Sequence, residues 1–175
     1  LLHSSNFLMV TQTFVFVNVR DDPFELFEKW FDEAKKKEIN DPNALALGTA
    51  SKIGVPSVRM VLLKGFDKNG FVFYTNLNSQ KGNELKINPN ATMCFHWKSL
   101  LRQIRIVGTL KLVDHKTADD YYNTRAYESR IGAWASKQSS ILKNRNELLN
   151  SLESFKKKYN DRDKVPRPNH WSGWN

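Results

Sequence analysis

The spacing of apolar and polar positions changes twice along this chain. From Phe24 onward Phe27, Phe31 and Ala34 recur at intervals of three and four, which puts them on one helix face. Asp22 stands before Pro23, with Glu25 at the third helical position, a box-like helix start. From Ala44 the period shortens towards two, and the pattern predicts strands over Ala44–Ala50, Pro56–Lys64, Phe71–Asn76, Ala91–Trp97 and Arg102–Val113. Ile53-Gly54 and Lys68-Asn69-Gly70 read as hairpin connections, and Ser79–Ile87 as a short helix between strands. The last strand places Ile104, Ile106, Leu110 and Leu112 on one face and Gln103, Arg105 and Lys111 on the other. So many strands in so short a stretch predict a barrel.

Helical spacing then returns. Thr117 with Asp120 resembles a capping box. Leu142, Arg145, Leu148, Leu149, Leu152, Phe155 and Tyr159 form a stripe whose apolar members read as core. The tail 165–175, with Pro166 and Pro168, is expected to be extended and to end on an aromatic-rich turn. At the other end, Phe7–Val19 is apolar and β-prone but has no basic start and no Ala-x-Ala exit. It falls short of the roughly 20 apolar residues that a bilayer crossing needs, and reads as a pairing strand.

Length and composition narrow the classes. With 175 residues and 40% hydrophobic content, one globular domain with its own core is expected, mainly β with flanking helices. The net charge of +9 points to an anionic partner: nucleic acid, a membrane surface or a phosphorylated metabolite. The runs Lys35-Lys36-Lys37 and Lys156-Lys157-Lys158 read as solvated helix faces. Aromatics are not interleaved with them as a base-stacking platform requires, so a polyanion-binding barrel is the weaker reading. Neither a nucleic acid nor a membrane is expected as partner. The single cysteine, Cys94, lies in the run Ala91–Trp97 and reads as a packed strand residue. An intrachain disulfide is impossible and no zinc spacing is present, so His96 reads as a strand histidine, no metal site is expected, and a reducing, cytoplasmic setting follows.

Candidate chemistry sits in three places. Ile131-Gly-Ala-Trp-Ala-Ser-Lys-Gln-Ser-Ser140 sets small residues, an aromatic and a row of hydrogen-bonding groups before a helical pattern, as a grip on a polar ligand would. Just upstream, Tyr121, Arg125 and Ser129 recur at spacing four; on one helix they would share a face and converge on a single anion. In Arg59-Met-Val-Leu-Leu-Lys64 two cations bracket an apolar strand and, by parity, point to opposite faces, so each could hold one phosphate. A phosphorylated small molecule is the implied ligand.

These segments, with Phe73-Tyr-Thr-Asn-Leu77, Ser79 and Lys81, and Arg102-Gln103, resemble the pyridoxine-5'-phosphate oxidase family in order and spacing from about Asp21 to Trp174. The resemblance implies a split β-barrel with flanking helices, a homodimer with FMN at the subunit interface, and oxidation of pyridoxine or pyridoxamine 5'-phosphate to pyridoxal 5'-phosphate. Oxygen would be the acceptor and hydrogen peroxide the by-product. By position, Arg59, Met60, Val61, Leu62, Tyr74, Thr75, Gln80, Lys81, Gln103, Gln138 and Ser139 would form the FMN site. Lys64, Tyr121, Arg125 and Ser129 would hold the substrate phosphate. No side chain is assigned a catalytic role, because the flavin carries the chemistry and the protein orients the two rings.

Two departures qualify the resemblance. Gln80 stands where the family usually has an arginine beside the lysine, one charge fewer at the FMN phosphate. The family also continues past Trp171-Ser-Gly-Trp174 into a final strand with an Arg-x-His pair and further flavin contacts. The expected organisation is an atypical segment over 1–20 and an oxidase domain over 21–175 without that strand. A non-catalytic flavin or pyridoxal-phosphate binding relative on the same barrel is the alternative.

Overall fold

The computed structural model describes residues 22–175; the strand expected over Phe7–Val19 and the segment 1–20 lie outside the described residues. Helix α1 spans Pro23–Lys37. The Asp22 carboxylate accepts from the Phe24 amide at 2.8 Å, and Pro23 occupies a first-turn position where its missing N–H costs nothing. Phe27, Phe31 and Ala34 are buried as expected. Phe24 is only half-buried and stacks on Phe71 instead, with ring centres 5.6 Å apart.

Among the described residues seven strands build two sheets: β1 Ala44–Ala50, β2 Pro56–Leu62, β3 Gly65–Asp67, β4 Gly70–Asn76, β5 Asn90–Trp97, β6 Arg102–Thr109 and β7 Trp171–Trp174. The first sheet has the order β2-β1-β5-β6 and the second β3-β4-β7, antiparallel throughout. Alternation works as the pattern demands: Leu45, Leu47 and Thr49 of β1 face inward, as do Met93, Phe95 and Trp97 of β5. Leu45, Leu47, Met93, Phe95 and Trp97 join Phe27, Phe31, Phe73 and Trp174 in one core between the sheets and α1. The Ile53-Gly54 turn connects β1 to β2, with Gly54 at φ +83°, a conformation that favours glycine. Helix α2, Gln80–Ile87, lies between β4 and β5, its Ser79 hydroxyl accepting from the Gly82 amide.

Four expectations change. The strand expected to run to Val113 leaves its sheet after Thr109, where the Leu110 amide bonds to Pro89. Lys111 then exchanges backbone bonds with Asn175, and the Val113 amide donates to the Gly173 carbonyl, so the chain crosses from one sheet to the other there, and Leu112 is exposed. The extended tail ends in β7, paired with β4 from Asn76↔Trp171 to Phe73↔Trp174, in place of an aromatic-rich turn. Helix α3, His115–Asn123, is capped by Asp114, whose carboxylate accepts from the Thr117 amide and hydroxyl; Asp120 instead pairs with Lys116 at 2.6 Å. Helix α5, Arg145–Lys158, buries none of its residues completely. It packs on helix α4, Tyr127–Ala135, through Trp134, Phe155 and Tyr159 outside the barrel, which leaves Leu149 exposed, while Leu142 is exposed in the loop before α5. No described helix is long and apolar enough to cross a membrane.

Candidate ligand cavity

A cavity of about 560 Å³ opens where β2, β4, β7, α2, α3, α4 and the loop after α4 meet. That volume suits a small organic ligand. Its wall includes Met60, Val61, Leu62, Lys64, Tyr74, Thr75, Lys81, Tyr121, Arg125, Ser129 and Gln138, most of the positions singled out from sequence.

Lys81 defines one polar cluster. Its side chain lies in the first turn of α2 and the residue is only 6% exposed, yet among the described residues Nζ meets only neutral oxygens: Thr75 Oγ1 at 3.2 Å, Gln138 Oε1 at 3.1 Å and Ser79 Oγ at 3.4 Å. Burial, and then the nearby positive charge of Arg59, hold its pKa below the usual lysine range, while Glu84 opposes them. A buried ammonium without a carboxylate in contact calls for an anionic partner. Gly82 lets the helix start this close, since a Cβ there would stand 2.5 Å from the Leu77 carbonyl oxygen.

Arg125 defines the other cluster. Its guanidinium lies over the Trp171 ring at 4.6 Å, and its Nη1 is buried without a hydrogen-bond partner among the described residues. Burial depresses its pKa, with Tyr121 and Tyr122 opposing. Tyr121 stacks on Tyr74 at 4.0 Å and 16°. Tyr74 is itself raised in pKa, by burial first and then by Tyr121 and Asp114. Tyr121, Arg125 and Ser129 do converge, but not from one helix. Tyr121 ends α3, Arg125 sits in the connection and Ser129 belongs to α4, so a turn between two helices brings them together.

Four expected residues do not line the cavity. Arg59 is turned against α2, where it pairs with Glu84 at 3.4 Å and with the hydroxyls of Thr49 and Ser57. Gln80 donates to the same carboxylate at 2.9 Å. Gln103 is exposed on β6, the opposite edge of the sheet from β2 and three strand spacings of about 4.8 Å away. Ser139 is exposed beside Gln138, at φ +65°. Conversely, sequence reasoning passed over Trp171, Asn76, Gly132, Ala133 and Ser136 as individual wall residues. The last three belong to the small-residue segment flagged from sequence, but Ile131–Ala135 closes α4 and only 136–144 forms a loop. Trp171 had no signal beyond its place in an aromatic-rich tail.

Known proteins give this geometry a family. The family model described as pyridoxamine 5'-phosphate oxidase matches residues 31–158. A pyridoxine/pyridoxamine 5'-phosphate oxidase of Pelagibacter ubique is 69% identical over 154 residues, 88% of this chain and 74% of that protein. One of Allorhizobium ampelinum is 56% identical over 153 residues, 87% of this chain and 74% of that protein. Among solved structures, PhzG from Burkholderia lata 383, in complex with tetrahydrophenazine-1-carboxylic acid, superposes with a TM-score of 0.82 at 27% identity, over 88% of this chain and 75% of that one. A pyridoxamine 5'-phosphate oxidase-related, FMN-binding protein of Nostoc punctiforme shares the fold, with a TM-score of 0.67 at 16% identity over 87% of this chain and 79% of that one. With relatives this similar aligned over nearly nine-tenths of its length, the chain belongs to the pyridoxamine 5'-phosphate oxidase family.

Proposed function

We propose that this chain binds FMN in the cavity and oxidises pyridoxine or pyridoxamine 5'-phosphate to pyridoxal 5'-phosphate, with oxygen as acceptor and hydrogen peroxide as by-product. One observation carries the reading: two cations with separate surroundings, the buried Lys81 and the half-buried Arg125, share one cavity, and neither has a carboxylate in contact among the described residues. Two phosphorylated ligands held side by side would supply both missing anions. Lys81, with Thr75 and Gln138, would receive the FMN phosphate. Arg125, with Lys64, Tyr121 and Ser129, would receive the substrate phosphate. Met60, Val61 and Leu62 line the space between strand and helix with apolar surface suited to a flavin ring. FMN would supply the electron-accepting chemistry, and the chain's own residues bind, orient and exclude water.

A homodimer completes the reading. Val58, Met60 and Leu62 of β2 and Val107 of β6 are exposed apolar side chains on the first sheet, Met60 at 64%. A second copy packed there would cover them and could bring its Gln103 to this chain's cavity, which Gln103 does not line within one chain. The single cysteine fits a cytoplasmic location.

The direct test loads the purified chain with FMN, adds pyridoxamine 5'-phosphate without oxygen and follows the flavin absorbance. Bleaching is expected. Flavin that binds and stays coloured would remove the oxidase reading and leave a binding relative; no flavin binding would remove both.

A further inference from the structure

We propose that Trp171 is a positioning residue for the anion subsite, holding Arg125 over its ring in place of a counterion so that guanidinium N–H groups are left for a phosphate. The inference deepens the reading of Arg125 given above and rests on it. Trp171 is 6% exposed, and its backbone is locked by pairing with Asn76 of β4. Its ring lies nearly parallel to Tyr74, at 5.2 Å and 10°, and to Tyr121, at 6.2 Å and 6°. Tyr122 meets it edge-on at 5.2 Å and 67°. Aromatic neighbours on several sides therefore fix the plane of the indole before any ligand arrives.

Arg125 lies over that plane, 4.6 Å from the ring centre, and 5.7 Å from the ring centre of Tyr122. A guanidinium on an indole face spends its π-face on the ring and keeps its N–H groups in the open plane. In Arg125 the Nη1 group has no hydrogen-bond partner among the described residues, while the residue as a whole is half-buried, so its hydrogen-bonding capacity is not used up within the chain. Arg59 shows the other solution in the same molecule: it is held by the Glu84 carboxylate, which neutralises it. A carboxylate beside Arg125 would cancel the charge that a phosphate needs and repel the phosphate itself. The ring quadrupole attracts the cation without supplying a competing full charge.

The test uses unreactive ligands, so that binding is read without turnover. 4'-Deoxypyridoxine 5'-phosphate and 4'-deoxypyridoxine are titrated by calorimetry into the FMN-loaded chain, and the ratio of their affinities measures the phosphate contribution. Trp171→Leu keeps apolar bulk without a π-face, and Trp171→Phe keeps a smaller π-face. The ratio, measured at saturating FMN, is expected to fall about tenfold in Trp171→Leu and about two- to threefold in Trp171→Phe. An unchanged ratio in Trp171→Leu, an equal loss in both variants, or an equal loss for both ligands would overturn the role of Trp171. A parent chain that binds the two ligands alike would instead overturn the reading of Arg125 as a phosphate subsite.

Discussion

Arg59 on β2 and Glu84 on α2 form an ion pair of 3.4 Å in which the side chains are 20% and 10% exposed. Thr49 and Ser57 each contact both partners, and Gln80 fills the remaining side of the carboxylate. The pair ties the strand edge to the helix that carries Lys81, so the cation facing the cavity is placed by a second one that does not line it.

Removing Glu84 should therefore cost stability. It leaves a largely buried guanidinium unpaired, and Glu84→Ala is expected to lower unfolding free energy by about 3 kcal/mol. Urea midpoints of the two chains check this, and Glu84→Gln should lose less because its carbonyl still accepts.

The same carboxylate gives a pH signature. Burial alone would raise its pKa, but hydrogen bonds from Thr49, Ser57 and Gln80 and the charge of Arg59 hold it below the usual value of 4.5. A depressed carboxylate contributes stability that is fully present above that usual value and lost as pH falls through the lower folded one. Stability profiles from pH 7 into the acid range should thus show a steeper decline below about pH 4.5 in the parent chain than in Glu84→Gln.

Lys81→Met should weaken FMN binding roughly 10- to 100-fold, the value of one charge-assisted contact, and leave riboflavin binding nearly unchanged. Because burial and Arg59 depress the lysine pKa, FMN affinity should also fall as pH rises through a range below 10.5. Flavin fluorescence titrations across pH measure both effects.

Arg125→Ala should raise KM for pyridoxamine 5'-phosphate by roughly 10- to 100-fold and lower kcat less, because the phosphate is a handle remote from the reacting carbon. Arg125→Lys should recover little of this, since an ammonium cannot both cover the indole and present a planar fork. Steady-state kinetics of the three chains distinguish the cases; an unchanged KM in Arg125→Ala would sink the phosphate assignment.

Gly173→Ala should disturb the cavity wall from behind. A Cβ at Gly173 would stand 2.7 Å from the Tyr74 ring and 3.1 Å from a Val113 methyl, so Tyr74 must leave its stack with Tyr121 and Trp171. A loss of about 1–3 kcal/mol is expected, with a changed near-ultraviolet circular dichroism spectrum reporting the moved rings.

The sequence by itself determined the local elements. Period-two alternation marked β1 and β5 nearly to the residue, and the Asp22-Pro23 start and the Phe27, Phe31, Ala34 stripe marked α1, because each depends on neighbours a few positions away. It also marked most of the cavity wall, through a resemblance spread over several separated motifs. Tertiary structure decided the rest. Whether Trp171–Trp174 is a tail or a strand depends on β4, some hundred residues earlier, offering an edge to pair with. Whether Leu149 is core depends on α5 packing against α4 and not against the sheets. That Arg59 turns to Glu84 while Arg125 rests on Trp171 depends on which partner lies across the gap, and spacing within one segment carries no record of that. Local pattern specifies which residues are apolar, capped or charged; long-range packing specifies which charges are neutralised and which stay free to bind.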